Sequence, residues 1–124
     1  ADNAYKAASV LASAKKLSQA RSYAQKAISF NENFGAPYIL IAQLYAGNYK
    51  WNDEPALNKC TFFAAIDKLQ RAKAVDPSVA EEANKLISSY SAYTPEAKDL
   101  FMLGYKAGDR ITIGGWIGET TTIR

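Results

Sequence analysis

Small and apolar residues fall at helical spacing along most of the chain, and two templates recur. In the first, such residues stand at a start point, four positions on and three further: Ala20, Ala24 and Ala27, then Ala65, Leu69 and Ala72, then Ala97, Phe101 and Gly104. In the second they stand at offsets of three, four and seven: Ala4, Ala7, Ala8 and Leu11, then Tyr38, Ile41, Ala42 and Tyr45, then Ala83, Leu86, Ile87 and Tyr90. Each set puts one apolar stripe on one side of an α-helix. The templates alternate, so the pattern predicts helices in pairs. "AAIDKLQRAKAVDP", Ala64 to Pro77, is the second helix of the middle pair, and Asp76-Pro77 stops it.

The spacing between copies tests the pairing. Ala4 to Tyr38 is 34 residues, Tyr38 to Ala83 and Ala20 to Ala65 are each 45, and Ala65 to Ala97 is 32. A period of 34 survives if one insertion of 11 and one short deletion are allowed. The insertion lies between the helices of the second unit, since Tyr38 to Ala65 is 27 and Ala4 to Ala20 is 16. Eleven residues make close to three turns at about 3.6 per turn, so they lengthen a helix without changing its facing. A long second helix is therefore expected from about Glu54 to Val75, with Asn52 or Asp53 as cap and Pro55 in its first turn. Ser78 and Glu81 form a capping-box pattern for the third unit, and Thr94-Pro95 opens the last helix.

After Gly108 the period changes to two. "GDRITIGGWIGETTTIR" alternates Ile111 and Ile113 with polar neighbours and carries a run of three threonines, Thr120 to Thr122, which predicts a hairpin of about Arg110 to Trp116 with Glu119 to Ile123. Such a strand pair must bury Ile111, Ile113, Trp116 and Ile123, and the expected surface is the last helix at Leu100, Phe101 and Leu103. Its outer edge, at Thr120, Thr121 and Thr122, carries no charge or proline against an added strand, which makes it a candidate for self-association as a homodimer.

The 34-residue helix-turn-helix period, with the alanine signature of "AAIDKLQRAKAVDP" and Pro77 as terminal proline, resembles the tetratricopeptide repeat (TPR) family. The likeness covers Ala1 to about Gly108. It departs where Tyr38 replaces the Trp, where Ala8, Ala42 and Ile87 replace the Gly, and where Glu32 replaces the first proline. The family implies a mainly α fold, a right-handed α-solenoid of about three helix pairs with units at about 1–34, 35–77 and 78–108. Residues 109–124 then form a C-terminal β-hairpin cap, since solenoids need an atypical end unit. "RAKAVDPSVAEEANKLISSYSAYTP" with "GGWIGETTTIR" is similar to the ends of uncharacterised TPR proteins of Bacteroidetes, which would imply a periplasmic or cell-surface location.

In that family the first helices line a concave groove. Carried over by register, the groove positions are Tyr5, Ser9 and Ala12, then Ile39, Gln43 and Ala46, then Asn84, Ser88 and Ser91, with Lys6, Leu40 and Lys85 at the edge. The family's chaperone-tail binders clamp a carboxylate with paired Lys and Asn, and these positions lack that clamp. The resemblance implies a non-enzymatic scaffold that binds a protein or peptide. The alternative is a structural C-terminal cap of a longer repeat protein, self-associating through the hairpin edge.

Composition narrows the chemistry. There is one cysteine, Cys60, and no histidine, which excludes Ser-His-Asp and Cys-His nucleophilic sites and leaves no His or Cys cluster for zinc. No enzyme activity, cofactor or metal is expected. The 124 residues carry a net charge of +3 with no basic run longer than Lys15-Lys16, so nucleic acid is not the expected partner. No apolar run approaches the ~20 residues that span a bilayer. The chain begins without Met and already in helix-like sequence, which suggests a processed product or a piece of something longer. Cys60 reads as a small core hydrophobe. Trp51 either packs beneath the inserted helix or anchors a partner, and packing is favoured. "GGWIG" lacks the following helix and the lysine of a phosphate loop. Glu81/Glu82 and Glu96/Asp99 sit at helix starts, where the dipole favours negative charge.

Overall fold

The computed structural model describes residues 2–124; Ala1, where the first unit was placed to begin, lies outside them. The chain is mainly helical. In order come α1 (Asp2–Ser13), α2 (Leu17–Phe30), α3 (Ala36–Gly47), α4 (Pro55–Lys59), α5 (Thr61–Val75), a 3-10 turn at Pro77–Val79, α6 (Ala80–Ser91) and α7 (Ala97–Met102). An antiparallel strand pair follows, β1 (Arg110–Thr112) with β2 (Thr120–Thr122), registered Arg110 to Thr122, Ile111 to Thr121 and Thr112 to Thr120.

Helices meet in sequence order: α1 packs on α2, α2 on α3, α3 on α5 and α5 on α6. The contacts are made by the small-residue stripes. Ala20, Ala24 and Ala27 on α2 and Ala65, Leu69 and Ala72 on α5 are all fully buried, as are Ala8, Ala42 and Ala83 on the helices they face. Short side chains let these helices approach closely. Another close approach occurs at Gly35, just before α3, where a Cβ would stand 2.5 Å from Val79 Cγ2 and 2.8 Å from Asp76 Cβ. The Gly35 N–H donates to Asp76 Oδ2 at 2.9 Å, which ties the start of α3 to the α5–α6 junction.

Four expectations need correction. The long helix over Glu54 to Val75 is broken at Cys60. There the Cys60 N–H bonds to the Leu57 carbonyl and the Phe63 N–H to the Cys60 carbonyl, each three residues back. The break follows from polar side chains that tie this segment to the preceding loop. Asn58 Oδ1 accepts from the N–H groups of Trp51 and Asn52, and Thr61 Oγ1 donates to the Tyr49 carbonyl. Second, Ser78 does not cap α6 through Glu81: its hydroxyl donates to Asp76 Oδ1 at 2.6 Å, and Asp76 caps the 3-10 turn instead.

Third, the last pair is not built like the others. α7 is a six-residue helix that packs against α4, and its buried residue is Leu100, whereas Ala97, Phe101 and Gly104 of the expected stripe are exposed. Fourth, the hairpin does not lie over Phe101 and Leu103, which remain 74% and 40% exposed. β2 packs on α5, and Ile111, Ile113, Ile117 and Ile123 join the same core as the helices. The strands are also shorter than expected, and Trp116 belongs to the connecting loop.

Two outcomes follow from this packing. Ala72→Leu forces extra carbons into a filled contact and should cost about 1–3 kcal/mol in a urea titration, while exposed Ala74→Leu should stay within about 0.5 kcal/mol. Hydrogen bonds from Ser78 and from the Gly35 N–H hold the Asp76 carboxyl below its usual range. A depressed carboxylate pKa gives stability that is complete above the unfolded value and lost as pH falls through the folded one. Acid unfolding should therefore have a component below about pH 3.9 that Asp76→Asn removes.

Candidate functional site

Not every groove position taken from the repeat register is open to a partner. Ala12 and Gln43 come together with Leu40 in a cleft of about 400 Å³ between α1 and α3. Ser9 and Ala46 are half-buried nearby on the same two helices. Tyr5 sits edge-on against Phe34, ring centroids 5.3 Å apart. Ile39 is a correction: only 4% exposed and part of the main core, it offers a partner nothing. It faces inward because α3 is apolar on nearly all sides, with Ile39, Ile41, Ala42, Leu44 and Tyr45 all buried. On α6, Asn84 accepts from Lys73 Nζ at 2.8 Å, Ser91 donates to the Ile87 carbonyl, and Ser88 is exposed.

The hairpin residues divide by face. Ile111 and Ile113 are buried, Thr120 is exposed, Thr122 is half-exposed, and the Thr112 and Thr120 hydroxyls lie 2.8 Å apart on the outer face. The inner face is held by a polar network that the hydrophobic pattern does not reveal. Arg21 on α2 donates to the Trp116 carbonyl at 2.8 Å, the Ile117 carbonyl at 2.7 Å and the Tyr45 hydroxyl at 3.0 Å. Its guanidinium also lies 5.0 Å from the Trp116 ring centroid. The Tyr45 hydroxyl donates to Glu119, whose other carboxylate oxygen meets Lys68 Nζ on α5 at 2.8 Å. Asp67 on α5 takes the Thr121 hydroxyl and Arg124. Burial first, then the bond to Glu119, raises the Tyr45 phenol far above its ordinary pKa, so it stays a donor.

Trp51 packs, as favoured, though its neighbour is the hairpin loop as well as α4. Its indole N–H donates to the Leu57 carbonyl at 3.1 Å, and its ring lies so close to Gly114 that a Cβ there would stand 2.8 Å from it. That approach explains the first glycine of "GGWIG", and positive φ angles at Gly115 and Gly118 explain two more. Cys60 is buried, its thiol pushed up to about 11 by that burial, so it stays protonated at neutral pH. Exposed Phe101 and Met102 edge a cleft of about 440 Å³ beside α7, rimmed by Lys98, Lys106 and Arg124. Among the described residues no group of three or more His, Cys, Asp or Glu could hold a metal ion, and no helix is long and apolar enough to cross a membrane.

Comparison with models of protein families, with curated proteins and with solved structures yields no match to this chain.

Removing the guanidinium leaves two loop carbonyls and a phenol without their donor. Arg21→Met should therefore cost about 2–3 kcal/mol. Hydrogen exchange should locate the loss, with the Ile113 and Ile123 amides, which bond to the Glu119 and Asp109 carbonyls, exchanging faster before the α2 and α5 amides do.

Proposed function

We propose that the chain is a non-enzymatic protein-binding module: a right-handed α-solenoid scaffold of tetratricopeptide type that receives a peptide or protein on the face built by α1, α3 and α6. The observation that carries this reading is the order of packing among the five long helices, α1 on α2, α2 on α3, α3 on α5 and α5 on α6. That order is how repeat arrays are built. First helices of successive units then share one side, and Tyr5, Ser9, Gln43, Asn84 and Ser88 each keep part of their surface open. Hydroxyls and amides on a rigid helical face suit hydrogen bonding to a partner backbone. Catalysis finds no support, since there is no histidine base and the lone thiol is buried.

A second reading, a cap that self-associates through the hairpin edge, is favoured by the exposed strand residues Arg110, Thr112 and Thr120. The two differ in where a partner touches. A photo-crosslinking residue placed at Gln43 or Ser88 should capture a protein from the source organism's lysate, and one placed at exposed Gln25 on α2 should not. Adducts from Thr120 alone, joining two copies of this chain, would favour the cap; equal adducts at Gln25 would remove the groove reading.

A further inference from the structure

Three clefts of about 400, 450 and 440 Å³ adjoin around the α1–α2 turn. The first is the α1/α3 cleft that holds Ala12 and Gln43; it shares Lys15 and Leu17 with the second, and Leu17, Gly47 and Asn48 with the third. Trp116 lines the second and third. Together they make one groove from the end of the α1/α3 face to the hairpin loop.

Its charge is one-sided. Every charged residue lining the groove is a lysine, Lys15, Lys16 or Lys50, and no carboxylate lines it. Among the described residues none of these three ammonium groups makes an ion pair, and none donates a side-chain hydrogen bond. The cleft beside α7 differs, because its cations Lys98, Lys106 and Arg124 are each paired with Glu96, Asp109 or Asp67 of the chain itself. Lys16 gives α2 no side-chain cap, so the first N–H groups of that 14-residue helix add to the positive potential. Leu17, Tyr49 and the Trp116 ring provide apolar surface between the lysines. The Trp116 indole N–H is a buried donor without a partner.

We propose that this groove docks an acidic segment of a protein partner. Carboxylates lie between Lys15 and Lys16 on one side and Lys50 on the other, and an apolar side chain rests on Leu17 and Trp116. The inference rests on the protein-binding reading and names the partner's chemistry. A polynucleotide fits less well: it brings a phosphate at every step, whereas three lysines around an apolar floor match spaced carboxylates with apolar residues between them.

The test is an NMR titration of the full chain with a synthetic peptide of alternating Glu and Leu, at low and high salt. The amides of Leu17 to Gln19, Asn48 and Lys50 and the Trp116 indole should shift, and binding should weaken as salt rises. Lys15→Glu, Lys16→Glu and Lys50→Glu together should weaken binding about tenfold, as a few exposed charge contacts would. Reversing exposed Lys26, Lys59 and Arg71 together should change it little. The proposal fails if no amide shifts, if a Gln-Leu peptide binds equally well, or if oligothymidylate displaces the peptide through the same lysines. Shifts confined to Tyr5, Ser9, Asn84 and Ser88 would also overturn the groove while leaving the concave-face reading intact.

Discussion

The hairpin depends on being received by the helices, and the guanidinium of Arg21 stands at the corner where its loop meets them. Two strands of three residues form at most a marginal structure in water, so β1 and β2 exist because something receives their inner face. Ile111, Ile113 and Ile123 supply the apolar part of that docking, and α5 supplies the surface. The turn between the strands brings backbone carbonyls to the same interface, and a carbonyl taken from water needs a donor. Arg21 gives two of them one, and its planar group also lies over the Trp116 ring. Glu119 accepts from the Tyr45 phenol that Arg21 also bonds, which balances the partly buried cation within one network. Ile113 and Ile117 join the helical core beside that corner.

This dependence explains which parts of the fold could be read from the residues. The alanine stripes on α2 and α5 were legible because close helix packing demands small side chains at helical spacing, and all six of those positions are buried. The same argument failed at α7. A helix of six residues has fewer than two turns, too few for a repeated stripe to fix its register, and α7 turned Leu100 inward while packing on α4 and left Phe101 facing out. Periodicity also gave no warning at Cys60, because an added three turns keep the stripe in phase whether or not the backbone is continuous. What breaks that helix is Asn58 and Thr61 bonding to the loop, and polar contacts across a loop leave no periodic trace.

The candidate site divides in the same way. Register placed Gln43 and Ala12 where a cleft exists, and it placed Ile39 in the core, since the rule assumes a first helix with one open side and α3 has almost none. Arg21, Tyr45 and Glu119 could not have been grouped from the sequence. They are 24 and 74 residues apart in the pairs they make, and each is ordinary in its own helix or turn. Lys15, Lys16 and Lys50 looked like scattered surface charge for the same reason, and only the α1–α2 turn meeting the end of α3 brings them around one groove.

Trp116 connects the two networks. Its ring is fixed by Arg21 on one side and edge-on by Tyr45, with centroids 5.5 Å apart, and it is also the floor of the lysine groove. A floor held in place before a partner arrives loses little freedom on binding, so more of the contact energy is left for affinity. The lysines differ in kind: three exposed flexible chains lose rotamer entropy when they pair, and each contributes little alone. Affinity at this groove would thus come from the rigid apolar floor, and the choice of an acidic partner from the mobile rim. The hairpin's docking sets the first of these, and a helix turn far from it in sequence sets the second.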